Sequence, residues 1–245
     1  MMIKNSCKII SLLLIVLSLN LQSVFGAEQD MEKVKEGIYN HLKNMDRQFD
    51  IPYCGTDVIQ VIKDSSGNDG YTSRSVKSLH VKGDGKTAHV SVDYITTKAQ
   101  ETYINNTLQI DIDAIINDNM SEYDKVKAIS KYICDKYEYD NTLKSDNSYS
   151  GLTTGRTTCN GYSMTACKMF SMAGIENKIV LGRLMGIPHA WNEVRINGNW
   201  YNIDITSNDS LESDKYFLKS DDALKTDGYV WEDYEACEPC TENYV

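Results

Sequence analysis

The spacing of hydrophobic positions along this chain changes several times, and each change predicts an element. A largely apolar run, Ile9–Leu21, comes first, with Lys4 and Lys8 before it. From Asp30 to Phe49 the apolar residues Val34, Ile38, Leu42 and Met45 recur three or four apart, the signature of one helix face. The period then drops to two. Ser78–Val81 and Thr87–Tyr94 flank the turn KGDGK, and Ala88, Val90, Val92 and Tyr94 alternate with polar residues, so a β-hairpin is expected there. Helical spacing returns after Ser121, which forms a capping box with Asp124 and leads into a stripe of Val126, Ile129, Ile133 and Tyr137. Residues 142–158, TLKSDNSYSGLTTGRTT, are rich in Ser, Thr, Gly and Asn and read as a loop that either rims a cleft or simply connects.

The next two elements carry the chemistry. Cys159 is followed at helical spacing by Tyr162, Ala166, Phe170 and Ala173, with Gly174 as a natural residue to end the helix, so the helix begins at or near the cysteine. A thiol at a helix start feels the positive end of the macrodipole, which favours thiolate. Gly161, with no side chain, is expected to admit substrate close to the backbone. Further on, residues 189–196 and 199–206 flank Asn197-Gly198, the strongest short signal for a two-residue type I′ turn. That turn sets Ile196 opposite Asn199, Trp191 opposite Asp204 and His189 opposite Thr206. His189, Trp191, Asp204 and Thr206 then share one face of a hairpin, with Asp204 within diagonal reach of His189. A lone buried cysteine is usually a small hydrophobe. Cysteine at a helix start, histidine in a strand and aspartate in the neighbouring strand together make a nucleophile, a base and an orienting carboxylate, the parts of thiol acyl-transfer chemistry.

The segments TTCNGYSMTACKMFSMAGIENKIVLGR, HAWNEVRINGNWYNIDIT and YFLKSDD resemble the core of the transglutaminase-like superfamily, a branch of the papain-like fold, and SEYDKVKAISKYICDKYEYD resembles the helix before the cysteine in bacterial members. The resemblance spans roughly Ser121 to Asp222. It implies an α+β protein with a papain-like, transglutaminase-like core, in which the nucleophile helix packs on an antiparallel sheet. It also implies Cys159 as nucleophile, His189 as base and then acid, and Asp204 as the group that orients His189. One position departs from the pattern: IDIT stands where many members have Asp-Pro-Thr. Trp191, Gly161 and Tyr162 are the expected substrate contacts. No metal or organic cofactor is implied.

Composition narrows the setting. Two lysines, an apolar run too short to span a membrane comfortably, and Gly26-Ala27 after it read as a secretory signal with cleavage near Gly26 or Ala27. Cys7 precedes the run, where it is no lipoprotein cysteine, so release is expected and no stable membrane anchor. Loss of Lys4 and Lys8 takes the net charge from −10 to −12, a poor match for nucleic acid. Residues 1–26 are therefore assigned to a signal, 27–115 to an N-terminal α/β segment and 116–245 to the catalytic core. Six cysteines remain after processing, Cys54, Cys134, Cys159, Cys167, Cys237 and Cys240. The CEPC pair reads as a metal half-site, a redox pair or a disulfide; a zinc site needs two further ligands, and no second CxxC exists. The expected partner is a protein or peptide, with cell-wall peptide among the options. The thioester is passed to an amine or to water, and the residues separate neither a transamidase from a protease or amidase nor exclude a binding module on the same fold.

Overall fold

The computed structural model describes residues 30–53, 55–67, 69–231 and 239–244. The expected signal 1–26 and its cleavage site, Cys7, Cys54 and Cys237 lie outside the described residues. The chain divides into two compact units, Met1–Ser66 with Leu79–Val92, and Gly67–Ser78 with Asp93–Val245.

In the first unit helix α1 (30–43) buries Ile38 and Leu42. It stops short of the expected end at Phe49, because Met45 turns the chain with φ 54° and Phe49 joins strand β1 (Gln48–Ile51). Helix α2 (Val58–Asp64) follows and buries Val58, Val61 and Ile62. The expected hairpin is present as β2 (Val76–Gly83) and β3 (Ala88–Tyr94), whose tip belongs to this unit, and the sheet order is β1-β3-β2. Ala88, Val90, Val92 and Tyr94 are buried and the residues between them exposed, as the alternation predicts. His89 stands on the exposed face, where Nδ1 pairs with Asp50 at 2.7 Å.

The second unit begins with a short helix, α3 (Gly70–Ser75), and then α4 (Lys98–Ile115), whose capping box is Thr97 with Gln100. Ile104, Leu108 and Ile112 of α4 share a core with Val126, Ile129, Ile133 and Tyr137 of α5 (Glu122–Lys136), so α4 packs with the unit that the sequence reading began at 116. The Ser121–Asp124 capping box forms as expected. Strand β4 (Glu138–Tyr139) runs parallel to β5 (Arg156–Thr157), and the stretch read as loop between them holds a helix, α6 (Ser148–Thr154). The Ser, Thr and Asn composition that suggested a loop serves here as a cap: the Asn147 side chain accepts from Ser150 N–H at 3.0 Å.

Helix α7 (Cys159–Met172) crosses the middle of this unit. Nine of its residues are buried, among them Gly161, Ser163, Thr165, Ala166 and Cys167, and small side chains all round let neighbouring elements approach from several sides. It packs on a four-stranded antiparallel sheet ordered β8-β7-β6-β9, built from β6 (Asn177–Leu184), β7 (Ile187–Ile196), β8 (Asn199–Ile203) and β9 (Tyr229–Val230). Helices α8 (Ile205–Ser210) and α9 (Asp221–Thr226) complete the unit. The fold is α+β, with the cysteine helix laid on the antiparallel sheet.

Candidate active site

Cys159 is the first residue of α7, a half-buried free thiol, behind an N-cap residue, Thr158, whose side chain makes no capping bond. The first N–H groups of a helix have no partner inside it. In α4, α5, α6 and α9 a side chain accepts from one of them. At α7 the N-cap side chain makes no such bond, so these donors are not taken up by a cap.

The Asn197-Gly198 turn forms as expected, both residues at positive φ (51° and 86°), and the register is the one it dictates, from Ile196 opposite Asn199 to Asn192 opposite Ile203. The ladder ends there. Trp191 does not pair with Asp204 nor His189 with Thr206, because Asp204 leaves the strand and becomes the N-cap of α8, accepting from Ser207 N–H at 3.0 Å. The aspartate expected on a hairpin face therefore sits at a strand-to-helix corner. From that corner its Oδ2 meets His189 Nε2 at 2.7 Å. With Nε2 engaged by the carboxylate, Nδ1 is the ring nitrogen left for the thiol.

Asp204 is wholly buried. Its Oδ2 also accepts from Ser207 Oγ at 2.6 Å and Tyr229 Oη at 2.6 Å. Burial alone would raise its pKa, yet the hydrogen bond and charge of His189, with the bonds from Ser207 and Tyr229, hold the carboxyl below its usual range. Burial works against the charged imidazole too. The hydrogen bonds to Asp204 and Cys159 and their negative charge outweigh it and push His189 up to about 10. For Cys159 burial is the largest influence and favours the thiol. The hydrogen bond and charge of His189, together with the Ala190 backbone, overcome it and lower the pKa from the ordinary thiol value. The three groups thus favour thiolate, imidazolium and carboxylate in a row.

The other expected contacts have packing duties. Tyr162 is fully buried and donates to Asp209 Oδ2 at 2.5 Å, so it presents nothing to a substrate. Gly161 is buried as well, and the space a Cβ would take is filled by Thr157, whose hydroxyl it would overlap. Its lack of a side chain serves the junction of β5 and α7 rather than substrate entry. Trp191 is 1% exposed. Its ring stacks beside His189 (centroids 6.2 Å, 22°) and its Nε1 donates to Asn202 Oδ1 at 2.9 Å, so it steadies the imidazole from within the core.

Three contributors went unread in the sequence. Tyr229 meets both Asp204 and the His189 ring, centroids 6.0 Å apart, from a two-residue strand with no periodic signal. Ser207 is legible only once Asp204 is known to be an N-cap. Asn192, buried on the α7 side of β7, donates to Ser163 O at 3.0 Å and ties the histidine strand to the cysteine helix.

Residues 112–205 match the family model described as the transglutaminase-like superfamily. The kyphoscoliosis peptidases of Homo sapiens and Mus musculus are 27% identical over 122 residues and 25% over 130, which is 41% and 46% of this chain. The chain spans only 18% and 20% of the length of those relatives. A solved structure described as that of a TGase superposes with TM-score 0.41 at 19% identity, over 65% of this chain and 50% of the other.

Proposed function

We propose, for a chain whose residues 112–205 form a transglutaminase-like domain, that it is an exported thiol acyl-transfer enzyme with Cys159, His189 and Asp204 as its catalytic triad. The observation that carries this reading is the continuous line from a thiol at an uncapped helix start, through His189, to a buried carboxylate 2.7 Å away. Cys159 thiolate attacks the carbonyl carbon of a carboxamide or peptide bond, and the carbonyl electrons move to oxygen. The Cys159 backbone N–H at the start of α7 is a donor for that oxyanion. As the intermediate collapses, the C–N bond breaks, His189 passes its proton to the departing amine, and a thioester remains. His189 then takes a proton from water or a primary amine, which attacks the thioester, and the thiolate is released. Asp204 keeps Nε2 occupied throughout and so keeps Nδ1 toward the sulfur.

The substrate class we infer is a protein or peptide, cell-wall peptide included. Lys4, Lys8 and the apolar run after them support export. The peptidase name of the human and mouse relatives leans the second half-reaction toward water. Incubating the protein with a glutamine-containing peptide, with and without a labelled primary amine, separates the outcomes. Label in the peptide means transamidation. Deamidation or cleavage without label means hydrolysis. Neither product, over a panel of peptides, with wild type indistinguishable from Cys159→Ala, would sink the enzyme reading.

A further inference from the structure

Beyond the acyl-transfer site, CEPC is the motif left without a role, and its second cysteine, Cys240, lies beside two carboxylates. Glu193, Asp221 and Cys240 each bring one ligand atom, all within 4.8 Å of one another, and both Glu193 and Cys240 are buried. They come from three separate places: the middle of β7, the first turn of α9, and the segment after the last strand.

The surroundings are those of a built site. Glu193 is 0% exposed, in strand β7 two residues past Trp191. A carboxylate that deep, close to a second carboxylate and a thiol, gathers groups that repel one another when ionised, and a cation reverses the sign of that interaction. Asp221 is oriented by two donors, Asn202 Nδ2 at 2.8 Å and the Cys240 backbone N–H at 3.3 Å. Such outer hydrogen bonds are what hold a carboxylate ligand in position. The Cys240 backbone is itself anchored, its carbonyl accepting from Asp221 N–H at 2.8 Å.

We propose that Glu193, Asp221 and Cys240 form a site for one divalent cation of the zinc class. One thiolate with two carboxylates excludes the hard-cation preference of calcium and magnesium, which take oxygen alone. A tetrahedral zinc ion with bonds of roughly 2.0–2.3 Å holds its ligand atoms about 3.5 Å apart, so atoms that lie within 4.8 Å of one another draw in by at most about 1.3 Å to reach it. The fourth position is left for water or another ligand. Binding releases the Cys240 thiol proton to solvent. Its effect is structural: it fastens the C-terminal segment 239–244 to β7 and α9. Asn202 bonds both Asp221 and Trp191 Nε1, and Trp191 stacks beside His189, so the ion also stiffens the layer behind the imidazole.

The test strips the full-length protein with a chelator under reducing conditions and titrates it with Zn²⁺, using Co²⁺ as a spectroscopic stand-in. One ion per chain is expected, with a near-ultraviolet thiolate-to-cobalt band, and Zn²⁺ raises the melting temperature. Cys240→Ser removes the band, and Glu193→Gln and Asp221→Asn weaken binding by at least about 10-fold. Cys159→Ala keeps both the ion and the band, which separates this site from the catalytic thiol. Should Cys240→Ser fail to fold, Asp221→Asn, at a half-exposed position, decides on affinity and melting temperature with matched circular dichroism. Absence of stoichiometric binding, a band that survives Cys240→Ser or disappears in Cys159→Ala, or unchanged affinity in Asp221→Asn would overturn the site.

Discussion

Cys159 differs from Cys134 and Cys167 in the company it keeps. Burial pushes both of the latter up to about 12, with nearby carboxylates adding to it, whereas His189 and the Ala190 backbone draw Cys159 below its ordinary value. Thiolate is the reactive form. In the folded protein iodoacetamide is therefore expected to label Cys159 near neutral pH well before Cys134 or Cys167, read by peptide mass mapping; equal labelling of the three would remove the nucleophile assignment. The sign of the pH dependence follows from the same pair. The thiolate appears as pH rises through the lowered Cys159 value, and the imidazolium is lost as pH rises through about 10 at His189. The rate of thioester formation is expected to rise as the thiolate forms, at a lower pH than for an ordinary thiol, and to fall on the alkaline side at about 10. Asp204→Asn keeps an oxygen for the Ser207 N–H but removes the charge that holds His189 up. A loss of roughly 10³–10⁴ in that rate is expected, with the alkaline limb moved to lower pH. Full activity in that variant would mean that another group orients His189.

At the scale of elements, what the sequence made legible was what local chemistry decides. The Asn197-Gly198 turn dictated the β7–β8 register, Ser121 with Asp124 dictated the start of α5, and Cys159 was placed at its helix start from spacing alone. What it did not make legible depends on tertiary partners. The strand expected to run through Asp204 to Thr206 ends three residues early, at Ile203, because the Asp204 N–H donates to Tyr216 O and its side chain caps α8. Helix α6 reads as loop because most of its residues have low helix propensity, and the Asn147 cap together with the packing of Leu152 and Gly151 selects it. The junction of β5 with α7 shows the same dependence. A Cβ at Gly161 would overlap Thr157 Oγ1, which donates to Ser145 O at 3.0 Å and Asn147 O at 3.2 Å. Gly161→Ala is expected to destabilise by about 1–3 kcal/mol through overpacking. Combining it with Thr157→Ala relieves the overlap, so the double variant loses less than the two single losses added together. Denaturant unfolding of the four proteins measures the coupling, and strict additivity would show that the two side chains do not compete for that space.

For the whole molecule the packing of α4 bears on where the core begins. A core beginning at 116 omits α4, which carries no chemistry and no turn signal that marks it as part of the site. Yet Ile104 and Leu108 are fully buried and Ile112 nearly so, in one cluster with Val126, Ile129 and Ile133 of α5 and Tyr162, Ala166 and Phe170 of α7. Removing three such side chains uncovers the faces of α5 and α7 that meet them, at a cost of about 2–5 kcal/mol for each large side chain by analogy with truncation to alanine, against a typical total of about 5–15 kcal/mol for a domain. Lys168 of α7 would also lose Glu101, its partner at 2.9 Å in a mostly buried pair. A fragment of residues 116–245 is therefore expected to lack a cooperative thermal transition and to leave Cys159, Cys134 and Cys167 equally open to alkylation, although every residue of the proposed triad is present. The single substitution Leu108→Ala in the full chain tests the same packing more gently: it is expected to lower stability by about 2–5 kcal/mol while leaving the preferential labelling of Cys159 in place. A fragment that melts cooperatively at the temperature of the full chain would mean that α4 is dispensable to the core, and the boundary at 116 would stand.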